Sequence, residues 1–177
     1  MYSVDSEHPM GYCTGTVIGP HAILSAAHCN KGSGVQLDSV PHTYTITKTL
    51  KDGRDHIIFL VDGPAFYNIE PYEARYPIVG EKVDIYGDGG REYPAVHKTG
   101  IVLDEYNPSE VDAASGFFCY SVSSIPGDSG SAVYGADGKI VGVVTYGIRD
   151  GAFFERTHMG AFAMNFTPEQ IKEAQNF

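Results

Sequence analysis

Positive charge is scarce in this chain. Lys and Arg together number 12 against 22 Asp and Glu in 177 residues, a formal net charge of −10. With no basic patch to displace counterions, neither nucleic acid nor an anionic membrane is expected as a partner. Long apolar runs are missing too, and none approaches the ~18 residues of a membrane-crossing helix. Met1 to Pro9 lack the basic start and apolar middle of a signal peptide, so a secreted form would already have lost its signal. Tryptophan is absent and cysteine is rare. Cys13, Cys29 and Cys119 make an odd set, which leaves at least one thiol unpaired or intermolecular. The histidines show no HExxH or paired metal spacing, so no metal is assigned and no cofactor is expected. The acidic residues Asp84 and Asp88 with their neighbouring glycines are too few for a calcium loop and read as strand and turn chemistry. No internal repeat or low-complexity tract is visible.

What is present suits one compact unit or two small halves sharing an interface. Hydrophobic residues make up 42% and charged residues 19%, enough to bury a core. Glycine, tyrosine and β-branched residues are abundant and strand-like runs recur between turns, which predicts an all-β fold. Gly15 to Ile18, Tyr44 to Leu50, His56 to Val61 and Glu81 to Gly87 read as strands, as do His97 to Leu103, Phe117 to Val122, Ser131 to Tyr134 and Ile140 to Tyr146. Gly135-Ala136-Asp137-Gly138 joins the last two as a hairpin turn. Asn68 to Pro77 has no strong period and reads as the connection between two halves. Thr167-Pro168-Glu169-Gln170 opens a C-terminal helix, with Thr167 as cap, Pro168 at the first position and Gln170 at the third.

Two short segments carry chemistry. In Gly127-Asp128-Ser129-Gly130-Ser131, a serine between glycines fits a tight turn that exposes its hydroxyl and aims its own N–H at a reacting carbonyl oxygen. Alone, this segment is also compatible with an ordinary surface turn. In Ser25-Ala26-Ala27-His28-Cys29, small residues precede a histidine that can reach that hydroxyl as general base. The order histidine, acid, serine excludes an α/β-hydrolase, which places its serine first.

Together, Cys13 to Pro20, Ala26 to Cys29 and Gly127 to Ser131 resemble the signatures of chymotrypsin/trypsin-like serine proteases, closest to the compact glutamyl-endopeptidase branch. The resemblance spans Cys13 to the terminal helix. It implies two antiparallel six-stranded β-barrels with a short C-terminal α-helix, divided as residues 1–75, 76–166 and 167–177. The expected function is a serine endopeptidase that works through an acyl-enzyme on a protein or peptide substrate, as a secreted monomer. Two alternatives are a virus-encoded polyprotein protease of the host cytoplasm and a catalytically silent homologue acting as a binding module.

The same resemblance implies the site residues. Ser129 would be the nucleophile and His28 the base, with Asp55 as its partner and Asp52 and Asp62 as rivals. The N–H groups of Gly127 and Ser129 would form the oxyanion hole. A disulfide would join Cys13 to Cys29, sixteen positions apart, the alternative being two reduced, buried cysteines, and Cys119 would be an inert buried thiol. Asp128 pairs with a newly cut N-terminus in zymogen-forming relatives, but no Ile-Val-Gly-Gly-like site precedes Cys13, so activation by cleavage is not expected. Thr145, Tyr146 and Gly147 would bind substrate backbone, and Ser123, Ser124 and Gly160 would shape the primary pocket. Val144 stands where acid-reading relatives carry histidine, and Ser123 where trypsin-like relatives carry an acid. A neutral apolar P1 residue is therefore expected, with Gly147 and Gly160 leaving the pocket open, unless Arg149, Arg156 or His158 folds inward.

Overall fold

Strand β7 (His56–Asp62) is the centre of the first half. Its residues His56 to Val61 are all buried, as a continuous apolar run predicts for a strand covered on both faces. A computed structural model of the chain describes residues 2–4, 9–38, 40–87, 89, 95–105, 116–148 and 158–177. Around β7 lie β1 (Tyr2–Val4), β2 (Pro9–Tyr12), β3 (Thr16–Gly19), β4 (Ala22–Ala26), β5 (Gly34–Leu37) and β6 (Val40–Lys51). They form one antiparallel sheet in the order β2-β1-β5-β6-β7-β4-β3.

The second half is a closed antiparallel barrel. Its strands are β8 (Lys82–Gly87), β9 (Val96–Glu105), β10 (Phe117–Tyr120), β11 (Ala132–Tyr134), β12 (Ile140–Ile148) and β13 (His158–Phe162), in the order β10-β13-β12-β11-β8-β9. Strand β8 shows the period-2 pattern of a half-buried strand, with Val83 and Ile85 inside and Lys82 and Tyr86 outside. The all-β, chymotrypsin-like architecture expected from the sequence is present, with one difference. The first half is a seven-stranded sheet where a six-stranded barrel was expected; β3 to β7 make five of its strands, and the β1–β2 pair adds two at the edge of β5.

Two cores follow from this division. Ile18, Ile23, Leu24, Tyr44, Ile58 and Phe59 fill the first, and Val83, Ile85, Val102, Val133, Val141 and Met159 fill the second. Each fully buried aliphatic side chain contributes about 1.5–3 kcal/mol relative to exposure. Ile140 and Val143 of β12 belong to the first core, so the second barrel packs directly on the first sheet. Helix α1 (Pro168–Asn176) follows the second barrel in the chain yet packs on β3 through Ala174. Its start matches the sequence reading: Thr167 Oγ1 accepts from Gln170 N, and Gln170 Oε1 accepts from Thr167 N.

Candidate active site

His28 lies on a single 3-10 turn, Ala27–Cys29, at the end of β4. Asp55 lies just before β7, and β4 and β7 are paired from Ala22↔Leu60 to Ala26↔His56. The sheet register therefore brings the ends carrying His28 and Asp55 together. Asp55 has φ +62°, the only positive φ of a non-glycine residue among those described. Aspartate tolerates this left-handed conformation better than most side chains, at a cost of about 1–2 kcal/mol. It lets the carboxylate turn back on the 3-10 turn, where Asp55 Oδ1 accepts from His28 N at 3.0 Å. Asp55 Oδ2 lies 2.9 Å from His28 Nδ1. Donation from Nδ1 to the carboxylate leaves Nε2 of a neutral ring as a proton acceptor.

The rival carboxylates go elsewhere. Asp52 bonds His56, and Asp62 is exposed at the far end of β7. Cys13 and Cys29 form the disulfide that the resemblance implied, and Cys119 stays outside it, half-buried where a buried residue was expected. Atoms of Cys13, Cys29 and His28 approach within 4.8 Å of one another. Both sulfurs are oxidised, so the cluster offers no thiolate to a metal.

Ser129 belongs to the second half but is anchored to the first. Its carbonyl accepts from Thr14 N at 2.8 Å, and Thr14 Oγ1 donates to Gly127 O at 2.8 Å. Ser25 Oγ completes this contact by donating to Thr14 O. Cys29 Sγ lies 3.9 Å from Ser129 O, so the disulfide is a common neighbour of His28 and Ser129. Gly127 and Gly130 have φ +108° and +91°. A Cβ on Gly130 would sit 2.1 Å from Thr14 O and 2.2 Å from Ser25 Oγ, so both conformation and space demand glycine there. Neither Gly127 N–H nor Ser129 N–H makes a hydrogen bond among the described residues. Ser129 Oγ donates to Thr145 O at 3.3 Å and is not bonded to His28.

Asp128, between these two N–H groups, is completely buried. Its carboxylate accepts from Lys98 Nζ at 2.6 Å, Gly89 N at 2.9 Å and Ile125 N at 3.1 Å. Its carbonyl accepts from Ser131 Oγ and Ser131 N. Sequence reasoning missed Lys98, which lies in β9, remote in sequence from the loop that it holds.

Thr145, Tyr146 and Gly147 lie on β12, and the pairing with β13 shifts register between Val144 and Tyr146. The irregularity leaves Thr145 out of the ladder, with its carbonyl toward Ser129. Strand β11 covers β12 only as far as Val143. Among the described residues no strand pairs with Tyr146 or Gly147 on that edge. Ser124 is buried and Ser123 is exposed, its carbonyl accepting from Lys98 Nζ. Gly160 does not leave an opening, as the sequence reading expected. A Cβ there would lie 2.1 Å from the Phe117 ring, which itself packs edge-on against Phe162. Arg149 and Arg156 lie outside the described residues, and His158 is the first residue of β13.

A family model described as trypsin-like peptidase domain matches residues 13–143, well over half of the chain. No curated protein matches the chain in sequence. Among solved structures, an inactive form of the Mycobacterium tuberculosis protein Rv3671c superimposes with a TM-score of 0.69 at 18% identity, covering 92% of this chain and 80% of the other. Neuropsin, a serine protease of mouse brain, gives 0.68 at 19% identity over 97% and 92%. The HtrA-type protease AlgW, solved with a decapeptide, gives 0.67 at 15% identity over 94% and 51%. Likeness at these identities establishes the fold.

Proposed function

The chain belongs to the trypsin-like peptidase domain family, and from that premise we propose that it is a serine endopeptidase. The observation that carries the reading is the convergence of the bonded His28–Asp55 pair, the Ser129 loop and two unbonded N–H groups at Gly127 and Ser129. Ser129 Oγ rotates from Thr145 O toward His28 Nε2, which takes its proton as the oxygen attacks the substrate carbonyl. The carbonyl oxygen, now an oxyanion, accepts from the Gly127 and Ser129 N–H groups. His28 returns the proton to the leaving amine, and the acyl group stays on Ser129 until water, deprotonated by His28, releases it. Asp55 stabilises the imidazolium formed in each half of the cycle. An extended peptide adds as a strand along Tyr146 and Gly147, the edge of β12 that β11 leaves uncovered.

The disulfide fits an oxidising compartment, hence a secreted protein. A second reading, a silent homologue that binds peptides, draws on the Ser129 Oγ bond to Thr145 O. Labelling by a fluorophosphonate probe separates the two. Ser129 of a peptidase is labelled and casein is cleaved, and Ser129→Ala loses both while keeping its fold. Cleavage by that variant at the wild-type rate would remove Ser129 from the mechanism.

A further inference from the structure

A second histidine–carboxylate pair lies beside the first, and the proposed reaction does not use it. His56 follows Asp55 directly, and its side chain is fully buried together with that of Asp52. Its Nδ1 is 2.5 Å from Asp52 Oδ2, and its Nε2 is 3.1 Å from Phe162 O of β13, in the other half of the molecule. A backbone carbonyl only accepts, so Nε2 must carry a proton. Asp52 is also acting as an acceptor: Arg54 N donates to its Oδ1 and Asn165 N to its Oδ2, each at 2.9 Å. Burial opposes ionisation of Asp52, but the bonds from His56, Arg54 N and Asn165 N outweigh it and hold the carboxyl below its ordinary value. Both contacts of His56 are therefore satisfied only when the ring and Asp52 together hold two protons, one in each hydrogen bond.

Apart from one bond to Tyr76, the surrounding bonds tie the same turn to the stretch from β13 into α1. Arg54 Nη1 donates to Ala163 O and Tyr76 OH, Asn165 Nδ2 to Asp52 O, and Gln170 Nε2 to Lys51 O. The charged and titratable groups near His56 include Asp52, Arg54 and Asp55 on its own turn and the Tyr72 phenol on the connection between the halves. Burial and then the Asp52 charge raise the Tyr72 phenol, which keeps it neutral. The segment from β13 to α1 contributes uncharged groups, with the Phe166 ring 6.2 Å from the imidazole.

We propose that His56 is a positioning residue: a buried, doubly hydrogen-bonded clasp that fixes the turn bearing Asp55 to β13 and so holds Asp55 on His28. This rests on the peptidase reading for the role of Asp55, whereas the clasp itself is a matter of geometry. Losing either proton unmakes one bond, either to Asp52 or across to the second half. Two buried acceptors, a bare ring nitrogen and an oxygen, then face each other next to a residue already held at positive φ.

The test uses the full chain, labelled with nitrogen-15, and reads the imidazole signals at the pH of the peptidase assay. Protons on both nitrogens of His56 are expected in the wild type. A bare Nε2 facing Phe162, or a bare Nδ1 facing an ionised Asp52, would overturn the clasp, and this measurement needs no variant. In His56→Gln, whose single amide cannot serve both partners, the His28 Nδ1–H signal should broaden into exchange. With a chromogenic peptide, kcat should fall on the order of 10- to 100-fold while KM stays within about twofold, as expected for a misplaced catalytic group. An unchanged His28 signal and kcat in a folded variant would sink the positioning role. A wild type with both ring protons but no cleavage would overturn the peptidase reading and leave the clasp standing.

Discussion

His28 and Asp55 stand on the first half with side chains 42% and 20% exposed, whereas Asp128, beside Ser129 on the second, is 0% exposed and its lysine 20%. The first half places its pair by covalent and backbone means: the β4–β7 register, a 3-10 turn, the Cys13–Cys29 disulfide and one strained φ at Asp55. The second half places its serine by a buried charge and two glycines at positive φ. The groups proposed to exchange protons with solvent and substrate stay partly wet. The group that only shapes the Ser129 loop is dry, where each hydrogen bond constrains more strongly.

Breaking the exposed pair should have the largest effect on activity and little on stability. Asp55→Asn still accepts from His28 N but no longer fixes the ring tautomer, so kcat should fall about 10⁴-fold. The melting temperature should stay close to the wild type, and a loss below tenfold would remove Asp55 from the mechanism. Breaking the buried pair should cost both. Lys98→Met leaves the Asp128 carboxylate without its cation, at about 3–5 kcal/mol, and activity should fall with it. Denaturant titration should show Asp128→Asn restoring stability in the Lys98→Met background. If Lys98→Met alone melts like the wild type, Asp128 does not depend on that ion pair.

The covalent staple belongs to the first half. Replacing both Cys13 and Cys29 by serine should destabilise by about 3 kcal/mol in the chain-entropy model, and non-reducing peptide mapping of the wild type should recover the linked pair. Three titratable thiols in native protein would contradict it. The smallest effect lies at the join between the halves, where Arg75 grips Glu81 with two parallel bonds at 2.7 and 2.9 Å and also holds Asp137. The Arg75 bond pulls the Glu81 carboxyl down to about 2. A depressed carboxyl stabilises the fold above its unfolded value of about 4.3. That stability is lost as pH falls from there toward about 2. Glu81→Gln should therefore flatten the stability–pH curve in that window and leave its slope near neutrality unchanged. An identical acid slope in both proteins would show that Glu81 does not contribute.

Several elements were legible from local pattern. The buried run His56 to Val61, the alternation in Lys82 to Gly87 and the capped start at Thr167 all rest on contacts a few residues apart. Strand β5 was not legible, because Gly34 to Leu37 is short and lacks alternation, and it is a strand only because β1 and β6 flank it. Strand β13 was not legible either: Gly160 entered the sequence reading only as pocket lining implied by the resemblance, and His158 as a loop residue that could fold inward. The Phe117 ring needs that glycine, and Phe117 lies on another strand.

The order of histidine, acid and serine, the glycines that the Ser129 turn requires and the two cysteines of one loop were fixed by the chain itself, since each depends on residue type at a short spacing. Which of three carboxylates meets His28 was decided only by folding. Asp52, Asp55 and Asp62 flank or end the same strand, and the positive φ at Asp55 sends one to His28 while Asp52 turns to His56. Folding likewise chose Lys98 for Asp128 and Phe162 O for His56, across 30 and 106 positions of chain. A buried charge or ring nitrogen takes whatever partner the packing delivers, and sequence separation carries no trace of that choice.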